Sequence, residues 1–332
     1  MIRSSITNDI QSSTKNVKQD RDHPKSAAPL NKHNARPYIG RFAPSPTGLL
    51  HIGSLVGALA SYLDAKANNG LWRVRIEDLD PPREITGAAD AILLSLQKHG
   101  LDWDGPILWQ NQRLSAYTSA LSQLTSNDRA FYCDCSRLQI QEKNGVHSGY
   151  CQASRENKHA ISDTHGFAVR ALIGNQSVQF NDRIQGEYKQ NLTTEVGDFV
   201  LQRKDGLFAY QLAVVVDDAF QGITHVVRGS DLLDSTPRQI FLQRLLGLPT
   251  PSYCHFPVIA NQQHQKLSKQ TFAKAISNDT PAQNILQALA YLRQPLPPAS
   301  VSRDVDELLL WASKHWSLAS IPHQLNIKES PF

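Results

Sequence analysis

A chain of 332 residues can hold one large α/β domain with an insertion, or two ordinary domains. Its 40% apolar and 8% aromatic content is that of a soluble globular protein, and no run approaches the roughly 18 apolar residues that a membrane helix needs. The net charge of +4 does not describe a basic body: residues 1–36 carry seven Lys/Arg against three Asp, while the remainder balances 27 basic with 27 acidic side chains. Any nucleic-acid contact therefore rests on a local patch rather than a global field. The first residues lack the apolar core of a secretory signal, so a cytoplasmic protein without membrane contact is expected.

Residues 1–36, rich in Ser, Asn, Gln, Lys and Asp and without apolar periodicity, are expected to form a disordered tail. Three acidic residues and few arginines weigh against a mitochondrial transit peptide. Strand character begins at Tyr38-Ile39-Gly40-Arg41-Phe42 and runs into the turn-rich Pro44-Ser45-Pro46-Thr47-Gly48. Apolar positions Ile52, Leu55, Val56, Leu59, Tyr62 and Leu63 predict a helix over 51–69, stopped by Gly70. Residues 71–77 alternate like a strand, Asp78-Leu79-Asp80-Pro81-Pro82 breaks it, and a helix over 88–99 ends at Gly100. This strand–helix–strand–helix order predicts an α/β fold with a doubly wound parallel sheet.

Residues from about 130 to 190 differ: a cysteine cluster is followed by short strands over 167–172 and 177–180, which reads as an insertion. The α/β pattern resumes with a hairpin near Asp205-Gly206, a helix over 210–220, a strand over 223–228, a helix over 235–246 and a strand over 255–259. The final ~60 residues read as helical, interrupted by Pro295, Pro297 and Pro298. No internal repeat is visible.

The sharpest signal is Arg41-Phe42-Ala43-Pro44-Ser45-Pro46-Thr47-Gly48 followed by His51-Ile52-Gly53-Ser54. A strand end, a proline-stiffened loop and a helix N-terminus aim free backbone N–H groups and a positive dipole end at an anion. His51 can donate to a phosphate, and Gly53 lets a nucleotide approach the backbone. His-x-Gly alone is more often an ordinary strand–turn–helix connection; the surrounding string is what makes it specific. That string resembles the ATP-binding signature of class I glutamyl- and glutaminyl-tRNA synthetases. Lys266-Leu267-Ser268-Lys269-Gln270 resembles the second half of the signature, a loop whose ammonium groups stabilise departing pyrophosphate. Ser54 stands where the fuller signature has a second His, and Gln270 where it has Ser.

The resemblance spans residues 37–275 and implies a Rossmann-type class I catalytic domain using ATP with Mg2+. It implies catalytic roles for His51, Lys266 and Lys269, and ATP contacts from these three with Pro44, Gly53 and Ser54. It implies a glutamate pocket of Arg41, Phe42, Ala43, Pro44, Ser45, Glu77, Tyr210 and Arg228. Arg41 and Arg228 are expected on the substrate carboxylates, and Glu77 on its ammonium group. The plainer alternatives are that Glu77 only pairs with Arg73 or Arg75, and that Arg228 caps a helix or faces solvent. An arginine-lined pocket favours glutamate over glutamine.

Cys133-Asp134-Cys135, then His147 after eleven residues and Cys151, supply three thiolates and an imidazole, the donor set of a closed tetrahedral zinc site. The alternative is three buried free thiols. Short glutamyl-queuosine synthetases have a Tyr where this chain has His147; His147 is preferred over Tyr150 as fourth ligand, and the Zn2+ is expected to be structural. Cys254 is expected in the core. Only 62 residues follow Gln270, too few for an anticodon-binding domain, so 276–332 is expected to be a short helical C-terminal region. The chain therefore resembles the truncated glutamyl-queuosine synthetases, implying a monomer that activates glutamate without tRNA and attaches it to queuosine of tRNA(Asp). Conventional charging of tRNA(Glu), a silent tRNA-binding paralog and a nucleotidyltransferase acting on another acid such as pantoate are the competing readings.

Overall fold

A computed structural model describes residues 37–142, 145–149, 166–260 and 274–328; the expected tail 1–36 lies outside the described residues. Strand β1 (Ile39–Phe42) leads through the proline loop into helix α1 (Ile52–Ala67), and β2 (Leu71–Ile76) returns parallel to β1. Helix α2 (Ala88–Lys98) then leads to β3 (Leu108–Trp109), parallel to β2. Helix α3 (Leu114–Ser126) follows.

The middle region is antiparallel. Strand β4 (Ala130–Cys133), the short helix α4 (Arg137–Gln141) and β5 (Ala168–Ala171) precede a hairpin of β6 (Ser177–Asp182) and β7 (Gly186–Asn191). One turn of helix, α5 (Leu192–Glu195), leads to β8 (Val200–Gln202), which completes a β4–β5–β8 sheet. This sheet therefore runs to Gln202, past the 190 at which the sequence reading ends the insertion. The turn at Asp205-Gly206 closes through a bridge between Gln202 and Phe208.

Helix α6 (Tyr210–Phe220) covers the predicted span, and β9 (His225–Gly229) follows it. Helix α7 (Thr236–Leu246) leads to β10 (Ser252–Phe256), parallel to β9. The strand expected over 255–259 is two strands: Pro257, with no N–H to give to a ladder, separates β10 from β11 (Val258–Ala260). Helices α8 (Pro281–Tyr291) and α9 (Val305–Lys314) form the C-terminal region, but it is not wholly helical. It ends in β12 (Asn326–Lys328), which pairs in parallel with β11.

The two main parallel sheets meet where Thr224 N–H donates to the Ile39 carbonyl at 2.9 Å. Apolar packing covers both faces of the second. Val227 and Cys254 join one core with α1, α8 and α9, while Val226 and Tyr253 join another with α3, α6 and α7. Alternation along a strand sends neighbouring side chains to opposite faces, so a sheet covered on both sides needs an apolar residue at nearly every position. Cys254 is fully buried there, as expected. No helix among the described residues is long and apolar enough to cross a membrane.

Candidate active site

A cavity of about 490 Å³ opens at the C-terminal ends of β1, β2, β9 and β10, beside the N-terminus of α1. Parallel α/β sheets offer their ligand crevice at this edge. Arg41, Phe42, Ala43, Pro44, Ser45, His51, Gly53, Ser54, Glu77, Tyr210 and Arg228 all line it, so residues up to 187 positions apart converge. Lys266, Lys269 and Gln270 lie outside the described residues. Their flanks reach the cavity: Ile259 is part of its wall, Ala275 bridges to His51, and Ile276 N–H donates to the Leu50 carbonyl at 3.0 Å.

The proline loop is tied to its neighbours by its carbonyls, since proline offers no N–H. Pro44 C=O accepts from Glu77 N–H at 3.0 Å, and Pro46 C=O from Ile85 N–H at 3.0 Å. Gly48 takes φ = 139°, a conformation that side chains with a Cβ resist. His51 is then the N-cap of α1, its Nδ1 accepting from Ser54 N–H at 3.3 Å. A ring whose Nδ1 accepts carries its proton on Nε2, which lies 3.0 Å from Ser54 Oγ. Ser54 thus orients the imidazole.

The charged floor rests on a residue that the sequence reading places only as a neighbour. Arg75 is fully buried; its Nη1 meets Asp218 Oδ1 at 2.7 Å and its Nη2 meets Glu77 Oε1 at 3.2 Å. Arg41 Nε reaches the same Asp218 oxygen at 3.4 Å. Glu77 therefore pairs with Arg75, as the plainer reading expects, and also lines the cavity. Burial pushes the Glu77 carboxyl above its usual range, partly offset by Arg75 and Arg41. Burial acts the same way on Asp218, but Arg75 and Arg41 outweigh it and hold that carboxyl below its usual range. The signal for Arg75 was its i, i+2 spacing from Glu77, which puts both on one face of a strand.

Across the cavity, Arg228 Nη1 stands 3.4 Å from the Tyr210 hydroxyl. Burial raises the Tyr210 phenol above its usual pKa, so it stays protonated and able to donate. Arg228 is 5% exposed; it lines the cavity, and its Nη2 donates to the Leu232 carbonyl in the short helix that follows β9.

The cysteine cluster forms a second centre. The donor atoms of Cys133, Cys135 and His147 lie within 4.8 Å of one another; Cys151 and Tyr150 fall outside the described residues. His147 Nδ1 lies 3.2 Å from Asp198 Oδ2, leaving Nε2 on the thiol side, 3.4 Å from Cys133 Sγ. A carboxylate behind the imidazole is the usual support for a metal-binding histidine. Asp198 is fixed by Gly149 N–H at 2.7 Å and Ile173 N–H at 2.9 Å. Gly197, with φ = 68°, lets the chain pass so close to His147 that a Cβ would sit 2.4 Å from the His147 carbonyl. Burial alone raises the Cys133 thiol, but hydrogen bonds from His147, the Cys135 amide and Arg170 bring it down to about 6. The thiolate that a metal requires is thus the favoured form. Two thiols and an imidazole so arranged can bind a metal ion.

The sequence pattern of the catalytic domain of tRNA synthetases class I (E and Q) matches residues 39–296. A glutamyl-Q tRNA(Asp) synthetase of Thiobacillus denitrificans is 50% identical over 300 residues, covering 88% of this chain and 98% of its own. That of Ectopseudomonas mendocina is 48% identical over 293 residues, with the same two coverages. The crystal structure of a glutamate tRNA ligase from Elizabethkingia meningosepticum superposes with a TM-score of 0.72 at 24% identity, covering 89% of this chain and 67% of that one; it supports the fold. The chain therefore belongs to the class I tRNA synthetases (E and Q), a family of ATP-dependent ligases, and within it to the glutamyl-Q tRNA(Asp) synthetases.

Proposed function

We propose that this protein activates L-glutamate with ATP in the absence of tRNA and transfers it to the queuosine base at the wobble position of tRNA(Asp). The observation that carries the first half is the charge pattern of the cavity. Two buried arginines, Arg41 and Arg228, and one carboxylate, Glu77, converge beside the N-terminus of α1. That pattern complements an amino acid with two carboxylates and one ammonium group, next to a place for phosphates. The second half follows the relatives, which carry that name and match nearly their full length.

In the first step the glutamate α-carboxylate attacks the α-phosphorus of ATP, a new P–O bond forms, and pyrophosphate leaves. His51 and the first N–H groups of α1 stabilise the phosphates, and the ammonium groups of Lys266 and Lys269 offset the charge that builds on them. The described residues on either side of that stretch, Ile259 in the cavity wall and Ala275 bridged to His51, support this role. Mg2+ would screen the phosphate oxygens when bound. In the second step a hydroxyl of the queuosine diol attacks the acyl carbon, its proton leaves, and AMP departs as the ester forms. No side chain is required as the base; the departing phosphate can take the proton.

Cys133, Cys135, His147 and Cys151 are proposed to hold one structural Zn2+. Residues 37–275 act as the catalytic domain and 276–332 as a short C-terminal region, in the cytoplasm. A monomer is the proposed working unit. The test is ATP–pyrophosphate exchange without tRNA. Exchange that depends on glutamate and is far weaker with glutamine is expected; exchange absent until tRNA is added would contradict tRNA-independent activation.

A further inference from the structure

Arg228 has a set of partners that the reaction alone does not require. Its Nε donates to His255 Nε2 at 3.0 Å, and its Nη2 donates to Thr236 Oγ1 at 2.8 Å and to the Leu232 carbonyl at 3.3 Å. Among the described residues Nη1 meets the Tyr210 hydroxyl alone, at 3.4 Å, and Arg228 belongs to the cavity wall. Every one of these partners is neutral. Among the described residues Arg228 takes part in no ion pair, whereas Arg41 and Arg75 share Asp218. A buried guanidinium without a carboxylate is costly, and a cation held that way at a cavity wall calls for an anion from outside.

What holds it is a buried relay. His255 can accept from Arg228 only if its proton is on Nδ1, and Nδ1 lies 2.6 Å from Asp182 Oδ2. The other Asp182 oxygen accepts the backbone N–H groups of Ile184, Gln185 and His255 at 3.0, 2.9 and 3.1 Å. With both oxygens engaged the carboxylate cannot turn away, and the tautomer is set. Thr236 Oγ1, 3.2 Å from His255 Nε2, closes the arrangement. Asp182 is 2% exposed and His255 is not exposed at all, so neither touches substrate. An aspartate placed directly against Arg228 would aim it equally well but would cancel its charge. A neutral imidazole between the two aims it and leaves the charge in place.

We propose that Asp182 and His255 are positioning residues for glutamate binding, holding Arg228 through a neutral acceptor so that its charge remains available to a substrate carboxylate. This rests on the reading of Arg228 as a carboxylate ligand. It also gives the β6–β7 hairpin a function in the active site, since Asp182 ends β6 while His255 lies in β10.

The test is a set of substitutions read by pyrophosphate exchange, with glutamate and ATP titrated separately. Gln and Glu are close in shape and differ in charge. H255Q should leave the glutamate KM within about threefold of the parent, whereas H255E should raise it about tenfold or more, the weight of one charge-assisted interaction. The ATP KM should move less than about twofold in both, because the relay faces Arg228 and not the α1 terminus. Thr236→Val, which removes an acceptor without adding charge, should raise the glutamate KM severalfold and serves should H255E fail to fold. Equal glutamate KM values for H255Q and H255E, or ATP and glutamate KM values rising together in them or in Thr236→Val, would overturn the proposal. Arg228→Ala separates the two layers: an unchanged glutamate KM there would overturn the Arg228 assignment itself.

Discussion

The buried charges around the cavity are shared, so a single substitution there is expected to move both stability and substrate binding. Asp218 holds Arg75 and Arg41 at once, and Arg75 holds Glu77. Removing one member of a buried pair strands the other, at a cost of about 3–5 kcal/mol. Asp218→Asn is therefore expected to lower the unfolding free energy by about that amount in urea titration and to raise the glutamate KM, as Arg41 loses its anchor. A second prediction concerns acid. Burial, reinforced by Arg228, pushes the His255 pKa down to about 4 against an ordinary value of 6.5, with Asp182 opposing the fall. Between those values the unfolded chain binds a proton that the folded chain refuses, so stability falls as pH drops through that window. That stability is present in full above about pH 6.5, and roughly 3 kcal/mol of it is lost by about pH 4. His99 and His225 are lowered too and add to the same slope. H255Q should show a shallower loss than the parent between pH 6.5 and 4; identical slopes would contradict the assignment of a neutral buried imidazole.

At the scale of elements, local pattern carried the reading wherever a segment's periodicity met its stop signal. Helix α6 covers the predicted span, and α1 starts one residue past His51 because that residue is its cap. The cysteine spacing likewise led to Cys133, Cys135 and His147, which do converge. Pairings at long range were not legible. Strand β12 is three residues with one apolar side chain, and it is a strand only because β11 lies beside it. Asp182 and His255 stand 73 positions apart and belong to different sheets, so no spacing rule joins them. Asp198 was missed for the same reason, 51 residues from His147. The Cys133–Cys135–His147 cluster yields the third prediction: purified protein should contain about one zinc per chain, and Asp198→Asn should weaken its retention about tenfold or more. Chelation should lower the melting temperature and speed amide exchange in β4 and β5, whereas metal-free protein with an unchanged melting curve would exclude a structural ion.

Across the whole molecule, distant segments close on a few buried polar points. Asp64 of α1 accepts from Tyr38 in front of β1, from Arg183 in the β6–β7 turn at 3.3 Å, and from Trp316 beyond α9 at 3.0 Å. The middle region and the C-terminal region thus share one anchor under the catalytic sheet. Charge divides differently: the basic excess sits in residues 1–36, while the cavity is built from residue 41 onward. Deleting residues 1–36 should accordingly leave the glutamate and ATP KM values of pyrophosphate exchange within about twofold, since binding terms set by contacts in the cavity are untouched. A larger change would assign the tail a part in activation. The most direct test of the account is transfer of labelled glutamate to tRNA(Asp) with and without queuosine, beside tRNA(Glu), each also treated with periodate beforehand to destroy its diols. Labelling confined to queuosine-containing tRNA(Asp), and lost after periodate, is the predicted result; labelling of tRNA(Glu) regardless of queuosine would contradict it and identify conventional acceptor-end charging.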